Sequence, residues 1–296
     1  MHKSLPLLLW RSLRLYQWPK NALVFVPLVL GGKSADADAW RIALFGFVAL
    51  GLAASATYLI NDLCDLEDDR KHWSKRNRPL AHGDLSIRAA LLMAAVAGGA
   101  SAALAMALGP RAMVGIAVYM AITLSYSFAL KRLPILDVLV LAALFTLRLG
   151  LGIALTDVRL SPWLLTFSMF AFLSLSLAKR YTEIVSGAKL GGTATPGRGY
   201  LSVDAPLVLG LGTTSALCAV LIMILYLIED AFPQAFYASP AWLWFLPAIM
   251  FLFFGRIWLV AQRGQLHDDP VVFVLKDASS LLLGALAGIA FAAALW

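Results

Sequence analysis

The sequence predicts an all-α, polytopic membrane protein, a bundle of about nine transmembrane helices. Three observations predict it. The 296-residue chain is 61% hydrophobic and 14% charged, against roughly 45–50% and about 25% in ordinary soluble domains. Its apolar excess lies in long blocks such as 44–60, 112–130 and 207–228, and runs near 20 residues match a bilayer core of about 30 Å. Within these blocks the apolar character is continuous rather than alternating. That favours helices, whose backbone satisfies itself in lipid, over a barrel.

Nine spans are expected, over 22–32, 40–62, 87–108, 112–130, 135–155, 161–182, 205–228, 240–261 and 279–296, in a single domain covering 1–296. The first is short and carries Pro27, which predicts an irregular or tilted segment. Residues 1–18 have neither the long apolar core nor the small-residue cleavage site of a secretory signal. They read as an amphipathic helix on the membrane surface, with Arg11 and Arg14 snorkelling. Cys64 and Cys218 are too few and too far apart for a zinc motif or a disulfide framework. Cys64 is expected in small-residue packing.

With the N-terminus inside and the spans alternating, nineteen of the 24 Lys and Arg fall on inner segments: those before the first span, 70–88, Lys131 with Arg132, 179–198 and 256–276. Lys33, Arg41, Arg111 and Arg159 fall outside, and Arg148 lies within a span. This is the positive-inside pattern of a multi-pass protein of the inner (plasma) membrane. It accounts for the net charge of +7 without a nucleic-acid partner. Most acids sort inward too: Asp62, Asp65, Glu67, Asp68, Asp69, Asp84, Asp137, Glu183, Asp204, Asp268, Asp269 and Asp277. Topology alone does not require inner acids, so their company with basic residues predicts a polar chamber at the cytoplasmic helix ends.

The most informative stretch is 61–83, NDLCDLEDDRKHWSKRNRPLAHG. At about 100° per residue, Asn61, Asp62, Asp65 and Asp69 fall near 0°, 100°, 40° and 80°, one helix face. Three carboxylates so close repel one another unless a cation joins them. Mg²⁺ prefers oxygen ligands and is commonly held by one or two carboxylates plus substrate phosphates. Asn61 can orient a ligand or a water without adding charge. Glu67 and Asp68 read as solvated charge.

This stretch resembles the NDxxDxxxD signature of the UbiA superfamily of intramembrane prenyltransferases, whose nine-span plan the chain also fits. The resemblance implies a helical bundle around a central cavity open to the cytoplasmic side. It also implies a diphosphate substrate and Mg²⁺ on Asp65, Asp69 and Asp62, the candidate catalytic carboxylates. Prenyl-diphosphate members carry a second acidic motif of DxxxD type. Here 178–184 reads AKRYTEI, with one acid, Glu183, and two cations, Lys179 and Arg180. These three share one helix face, and Tyr181 points elsewhere. With QWPKN (17–21), SKRNRPLAHG (74–83), SYSFALK (125–131), RGY (198–200) and LKDAS (275–279), the chain is similar to the branch that transfers phosphoribose to polyprenyl phosphate. That implies phosphoribosyl diphosphate (PRPP) as donor, a decaprenyl-like phosphate as acceptor, and a lipid-linked product used for cell-wall arabinan or related glycans. Such a pocket needs one metal-bound diphosphate site and several Lys/Arg clamps.

Lys20 is a candidate phosphate clamp or an interfacial anchor. Lys75, Arg76 and Arg78 follow the acidic helix, where at least one should grip a phosphate. Tyr126 and Lys131 either close the site or sit at the interface. A charge at Arg148 within an apolar span usually faces a cavity; the competing reading is a structural salt bridge to Asp137 or Glu183. Tyr200 is expected to position substrate through its hydroxyl, after a glycine-rich 187–199 loop that reads as a mobile lid or a plain connector. His2, His72, His82 and His267 have no metal-ligand partner at suitable spacing. Self-association is an open expectation with no interface to name. Two other functions remain: prenyl transfer from a polyprenyl diphosphate to an aromatic or other small acceptor, and a transporter or lipid-binding protein using Arg148 and the inner acids.

Overall fold

The computed structural model describes residues 5–71, 75–189, 191–195, 197–233, 237–266 and 270–296, without the side chains at 71, 75 and 271. His2, His72, His267, Asp268, Asp269 and the side chain of Lys75 therefore lie outside the described residues. The helices are α1 (Leu5–Ser12), α2 (Val26–Leu30), α3 (Ala37–Cys64), α4 (Leu66–Lys71), α5 (Pro79–His82), α6 (Ile87–Leu108), α7 (Pro110–Phe128), α8 (Leu136–Thr156), α9 (Pro162–Lys189), α10 (Ala205–Tyr226), α11 (Phe245–Gln262), α12 (Pro270–Val274) and α13 (Ala278–Leu295). Among the described residues the only extended pairing is an isolated bridge between Ala194 and Leu201. Among the described residues, eight helical stretches are long and apolar enough to cross a membrane: α3, α6, α7, α8, α9, Ser202–Ala231, Pro240–Gln262 and α13. The chain is an integral membrane protein.

The first expected span, 22–32, does not form a long helix. A 3₁₀ helix, Leu15–Phe25, carries Pro19 and leads into the five-residue α2, which carries Pro27. At about 2.0 Å per 3₁₀ residue and 1.5 Å per α residue, the two together run roughly 30 Å, the thickness of a bilayer core. They run antiparallel to α3. Arg14 meets Asp62 at one end, Trp18 Nε1 donates to Ser55 Oγ at 3.1 Å, and Lys33 follows at the other end, near Asp36, which caps α3. Val24 and Leu28 are fully buried. A Cβ at Gly152 of α8 would collide with the Val24 carbonyl, so the glycine permits this close approach. Asn21, Val24, Pro27 and Leu28 are its buried residues, and irregular backbone is tolerated at membrane depth where it packs against protein.

The N-terminal helix is shorter than expected. It ends at Ser12, and Arg14 turns the chain with φ 52°. Arg14 does not snorkel: it is ion-paired to Asp62. Helix α3 likewise stops at Cys64, with Asp65 as its C-cap, and α4 resumes at Leu66. The expected continuous acidic helix is thus two helices. The bond from Asp69 N to Asp65 O, 2.8 Å, carries the turn across the break. The break leaves Cys64 exposed rather than packed.

The chain forms two compact units, 1–131 with 147–159, and 132–146 with 160–296, α8 contributing to both. In the first, α3 and α6 pack through small residues: Ala90, Ala94, Ala97, Ser101 and Ala105 of α6 are buried, as are Ala49, Ala53 and Ala56 of α3. Small side chains let the backbones approach, and Ser101 Oγ donates across to the Ala49 carbonyl at 2.7 Å. In the second, Ser174 of α9 donates to the Gly212 carbonyl of α10 at 2.8 Å and accepts from Trp258 Nε1 of α11 at 2.9 Å.

In that second unit Asp277 caps α13 through Ser280 N and takes a bidentate pair from Arg256, at 2.9 and 2.7 Å. The Arg256 bonds hold the Asp277 carboxyl well below the usual carboxylate range, with Ser280 adding to the effect. A folded-state pKa below the unfolded one adds stability that is complete above the unfolded value, about 3.9. It is lost only as pH falls through the lower, folded value. Asp277→Asn keeps the cap and loses the pair. Its melting midpoint in detergent is expected to lie below wild type by a constant amount from pH 8 to 5, closing only under stronger acid. A gap that closes between pH 7 and 5 would disprove this.

Candidate active site

Two polar clusters hold most of the expected residues, one in each unit. The first surrounds the acidic motif. Asp62 is 6% and Asp69 2% exposed. One nitrogen of Arg78, Nη1, donates to Asp62 Oδ1 at 3.0 Å and to Asp69 Oδ2 at 2.5 Å. Arg14 pairs with the same Asp62 oxygen. Burial alone would lower the Arg14 pKa, but Asp62, Tyr16, Tyr58 and Asp69 together outweigh it, so it lies above its ordinary value. Asp65 accepts from Lys131 Nζ at 2.5 Å and from Asn61 Nδ2 at 3.1 Å. Lys131, in the 3₁₀ turn Leu130–Arg132, is 8% exposed, so it serves the motif rather than the interface. Arg11 donates to the Asn77 carbonyl at 2.8 Å and fastens α1 over the loop beyond α4.

The other candidates in this unit fall nearby or apart. Arg76 is exposed; Lys20 and Tyr126 are half-buried. Arg148 is 5% exposed. Its Nε donates to Asn21 Oδ1 at 3.0 Å and its Nη2 to the Tyr119 hydroxyl at 3.1 Å, with the guanidinium 5.1 Å from the Tyr119 ring centre. Two neutral oxygens and an aromatic face therefore hold this charge in place.

The second cluster lies at the start of α8 and the end of α9. Asp137 is fully buried and Arg180 is 1% exposed, with Arg180 Nε 3.2 Å from Asp137 Oδ2. Arg180 also pairs with Glu183 one turn on, and Arg198 Nη1 lies 4.0 Å from Asp137. Lys179 is half-buried. Tyr200 is 1% exposed; its hydroxyl donates to Asp137 Oδ1 at 2.6 Å and accepts from Ile135 N at 2.7 Å. Burial and the Asp137 bond push the Tyr200 pKa up, so the hydroxyl stays a donor. The glycine-rich stretch folds back on itself: Thr195 N donates to Tyr200 O at 2.9 Å and Ser202 N to Thr193 O at 3.0 Å. A Cβ at Gly199 would collide with the Arg132 carbonyl and Pro134. Tyr200 thus bolts a folded loop to the 132–137 turn.

Sequence reasoning missed Arg14, Asn21, Tyr119 and the role of Asp137. In the sequence Asp137 reads only as one of the inner acids and as an alternative partner of Arg148, whereas its partners are Arg180 and Tyr200.

Among the described residues no group of three or more His, Cys, Asp or Glu is placed to hold a metal ion by itself. Asp62 and Asp69 nevertheless share one cationic nitrogen, so a cation position between two carboxylates already exists. An all-oxygen pair of this kind, with Asp65 one turn away, fits Mg²⁺, which takes its remaining ligands from phosphate and water.

The sequence model of the UbiA prenyltransferase family matches residues 22–276. The chain belongs to that family. This UbiA family member is 45% identical, over 99% of its length, to the uncharacterized protein y4nM of Sinorhizobium fredii, of which it spans 57%. Nodulation protein NoeC of Azorhizobium caulinodans is 30% identical, over 94% of this chain and 91% of NoeC. The decaprenyl-phosphate phosphoribosyltransferase of Mycobacterium tuberculosis is 35% identical over 185 residues, 61% of each chain. The match therefore spans less than two thirds of y4nM and of the phosphoribosyltransferase. Among solved structures, a UbiA homologue from Archaeoglobus fulgidus bound to DMAPP and Mg²⁺ matches with TM-score 0.69 at 17% identity, over 96% of both chains. A digeranylgeranylglyceryl phosphate synthase matches with TM-score 0.69 at 14% identity, over 98% of both. These structures share the fold.

Proposed function

We propose that the protein transfers 5-phosphoribose from PRPP to a polyprenyl phosphate, releasing diphosphate and forming polyprenylphosphoryl-5-phosphoribose. The observation that carries this reading is the AKRYTEI stretch at the end of α9. It sets Lys179 and Arg180 where prenyl-diphosphate enzymes of the family place carboxylates. The 35–36% identity with decaprenyl-phosphate phosphoribosyltransferases, over 61% of this chain, supports it.

In this reading Asp62, Asp69 and Asp65 hold Mg²⁺, which when bound neutralises charge on the departing diphosphate. Asn61 orients the Asp65 carboxylate. Lys20, Lys75, Arg76, Arg78, Lys131 and Lys179 supply cations for phosphate oxygens, and Arg148 presents a fixed charge. Tyr126 closes the site, and Tyr200, with Glu183, holds the second cluster in shape. One bond forms, from an acceptor phosphate oxygen to ribose C1. One breaks, from C1 to the diphosphate oxygen, and its electron pair leaves with diphosphate. No proton has to move, because a phosphate monoester with a second pKa of about 6 is largely ionised at neutral pH. Alignment of the two substrates supplies much of the rate. The site faces the cytoplasm of a plasma-membrane protein, and the product serves lipid-linked arabinan or related glycan synthesis.

A second reading, prenyl transfer from a polyprenyl diphosphate to a small acceptor, draws on the family's own description and on the DMAPP-bound homologue. Purified protein, Mg²⁺, polyprenyl phosphate and PRPP labelled in the ribose separate the two. Label is expected in the lipid extract. Untouched PRPP, with consumption of a prenyl diphosphate, would establish the second reading instead.

A further inference from the structure

The carboxylates of the acidic motif are matched by cations one for one. Asp62, Asp65 and Asp69 are paired with Arg14, Arg78 and Lys131. The cations come from three separate places in the chain: the turn after α1, the residue before α5, and the 3₁₀ turn after α7. Among the described residues, these paired side chains carry three charges of each sign, which offer no net attraction to a lone divalent cation. Arg78 adds a specific obstacle, since its Nη1 occupies the position between the Asp62 and Asp69 oxygens.

The three cations are not equivalent. Arg14 is 14% exposed along its side chain and is set by a left-handed turn. The segments on either side of it are pinned to α3, by Ser55 Oγ donating to the Leu13 carbonyl at 2.6 Å and by the bond from Trp18. Arg78 is more open, at 27%, just before Pro79. Lys131 ends in a single ammonium on a flexible stem, which can turn to a new partner.

We propose that Arg14, Arg78 and Lys131 are resident counter-ions of the motif, and that Arg78 and Lys131 exchange from carboxylate to diphosphate when a divalent cation enters. Arg14 stays on Asp62. The exchange leaves the carboxylates to the metal and the freed cations to the phosphate oxygens, so no buried charge is left unmatched. Metal and diphosphate therefore bind as a unit, each strengthening the other by the same factor. This deepens the metal-diphosphate reading of the motif and rests on it.

The test is calorimetric titration of the purified full chain with Mn²⁺, alone and with inorganic diphosphate. Wild type is expected to bind Mn²⁺ at least about tenfold more tightly with diphosphate present. Arg78→Gln removes the competing charge, so it should bind Mn²⁺ alone about tenfold or more tightly than wild type, a charge-assisted contact being worth that much. It should also lose most of the gain from diphosphate. Arg78→Lys keeps the charge, gives up the shared fork, and should fall between. An Arg78→Gln protein with wild-type Mn²⁺ affinity and wild-type coupling would overturn the exchange while leaving the metal site standing. A wild-type protein that binds no Mn²⁺ with or without diphosphate would remove the metal reading itself.

Discussion

Asp69→Asn is expected to lower product formation by about a hundred- to a thousandfold, the scale on which loss of one preorganised electrostatic group acts on a charged transition state. Asn is nearly the same shape, and its amide oxygen can still accept from Arg78, so the protein should insert and purify as wild type does. What it cannot do is supply negative charge to a cation. Asp69 is 2% exposed and shares the Arg78 nitrogen with Asp62, so its charge acts at short range with little solvent screening. Asp68, one residue earlier in the chain and exposed, gives the control. Asp68→Asn should change turnover less than about twofold, because a solvated charge is screened within about 10 Å. Excess chelator should reduce wild type toward the Asp69→Asn level and leave the variant little changed. Full turnover in Asp69→Asn, or full wild-type activity in chelator, would defeat the assignment.

The part of this site that could be read from sequence is the part with a period. Continuous apolar runs gave away the long spans, and Asp62 and Asp69 still meet one guanidinium across the break at Asp65, where the turn is carried by the bond from Asp69 N. Pro27 announced an irregular first segment; that it is a 3₁₀ stretch along α3 depends on Gly51, which leaves room for Trp18, and Gly152, which leaves room for the Val24 carbonyl. Partners far apart in the chain carry no such signal. Arg14 lies 48 residues from Asp62, Lys131 lies 66 from Asp65, and Tyr200 lies 63 from Asp137. Each pair exists because a charge or hydroxyl placed by one helix must find its complement on another. Arg148 shows the same limit. Its burial was legible from its place within a span, but Asn21 and Tyr119 became its partners only once the 3₁₀ segment, α7 and α8 came together.

The same logic separates Lys179 from Arg180, neighbours that the sequence presents as equals. Arg180 is 1% exposed and faces a fully buried Asp137. Removing one partner of a buried ion pair typically costs about 3–5 kcal/mol, because the other charge is left unmatched. Arg180→Ala is therefore expected to lower the melting midpoint strongly and to lose expression, whatever the substrate. Tyr200 would remain on one Asp137 oxygen, and Arg198, at 4.0 Å, is too far to replace the lost cation without moving. A second substitution, Asp137→Asn, placed on Arg180→Ala removes the orphaned charge and should recover a large part of the loss, a coupling that a double-mutant cycle measures directly. Lys179 is half-buried, and Lys179→Ala should leave the melting midpoint within the small range of surface changes. It should instead weaken PRPP use about ten- to a hundredfold with little change for the polyprenyl phosphate. An Arg180→Ala protein that melts with wild type would show that Asp137 does not depend on it. Unchanged PRPP kinetics in Lys179→Ala would leave this cation as a marker of the inner surface, and the basic second motif would then no longer argue for a phosphoribosyl donor.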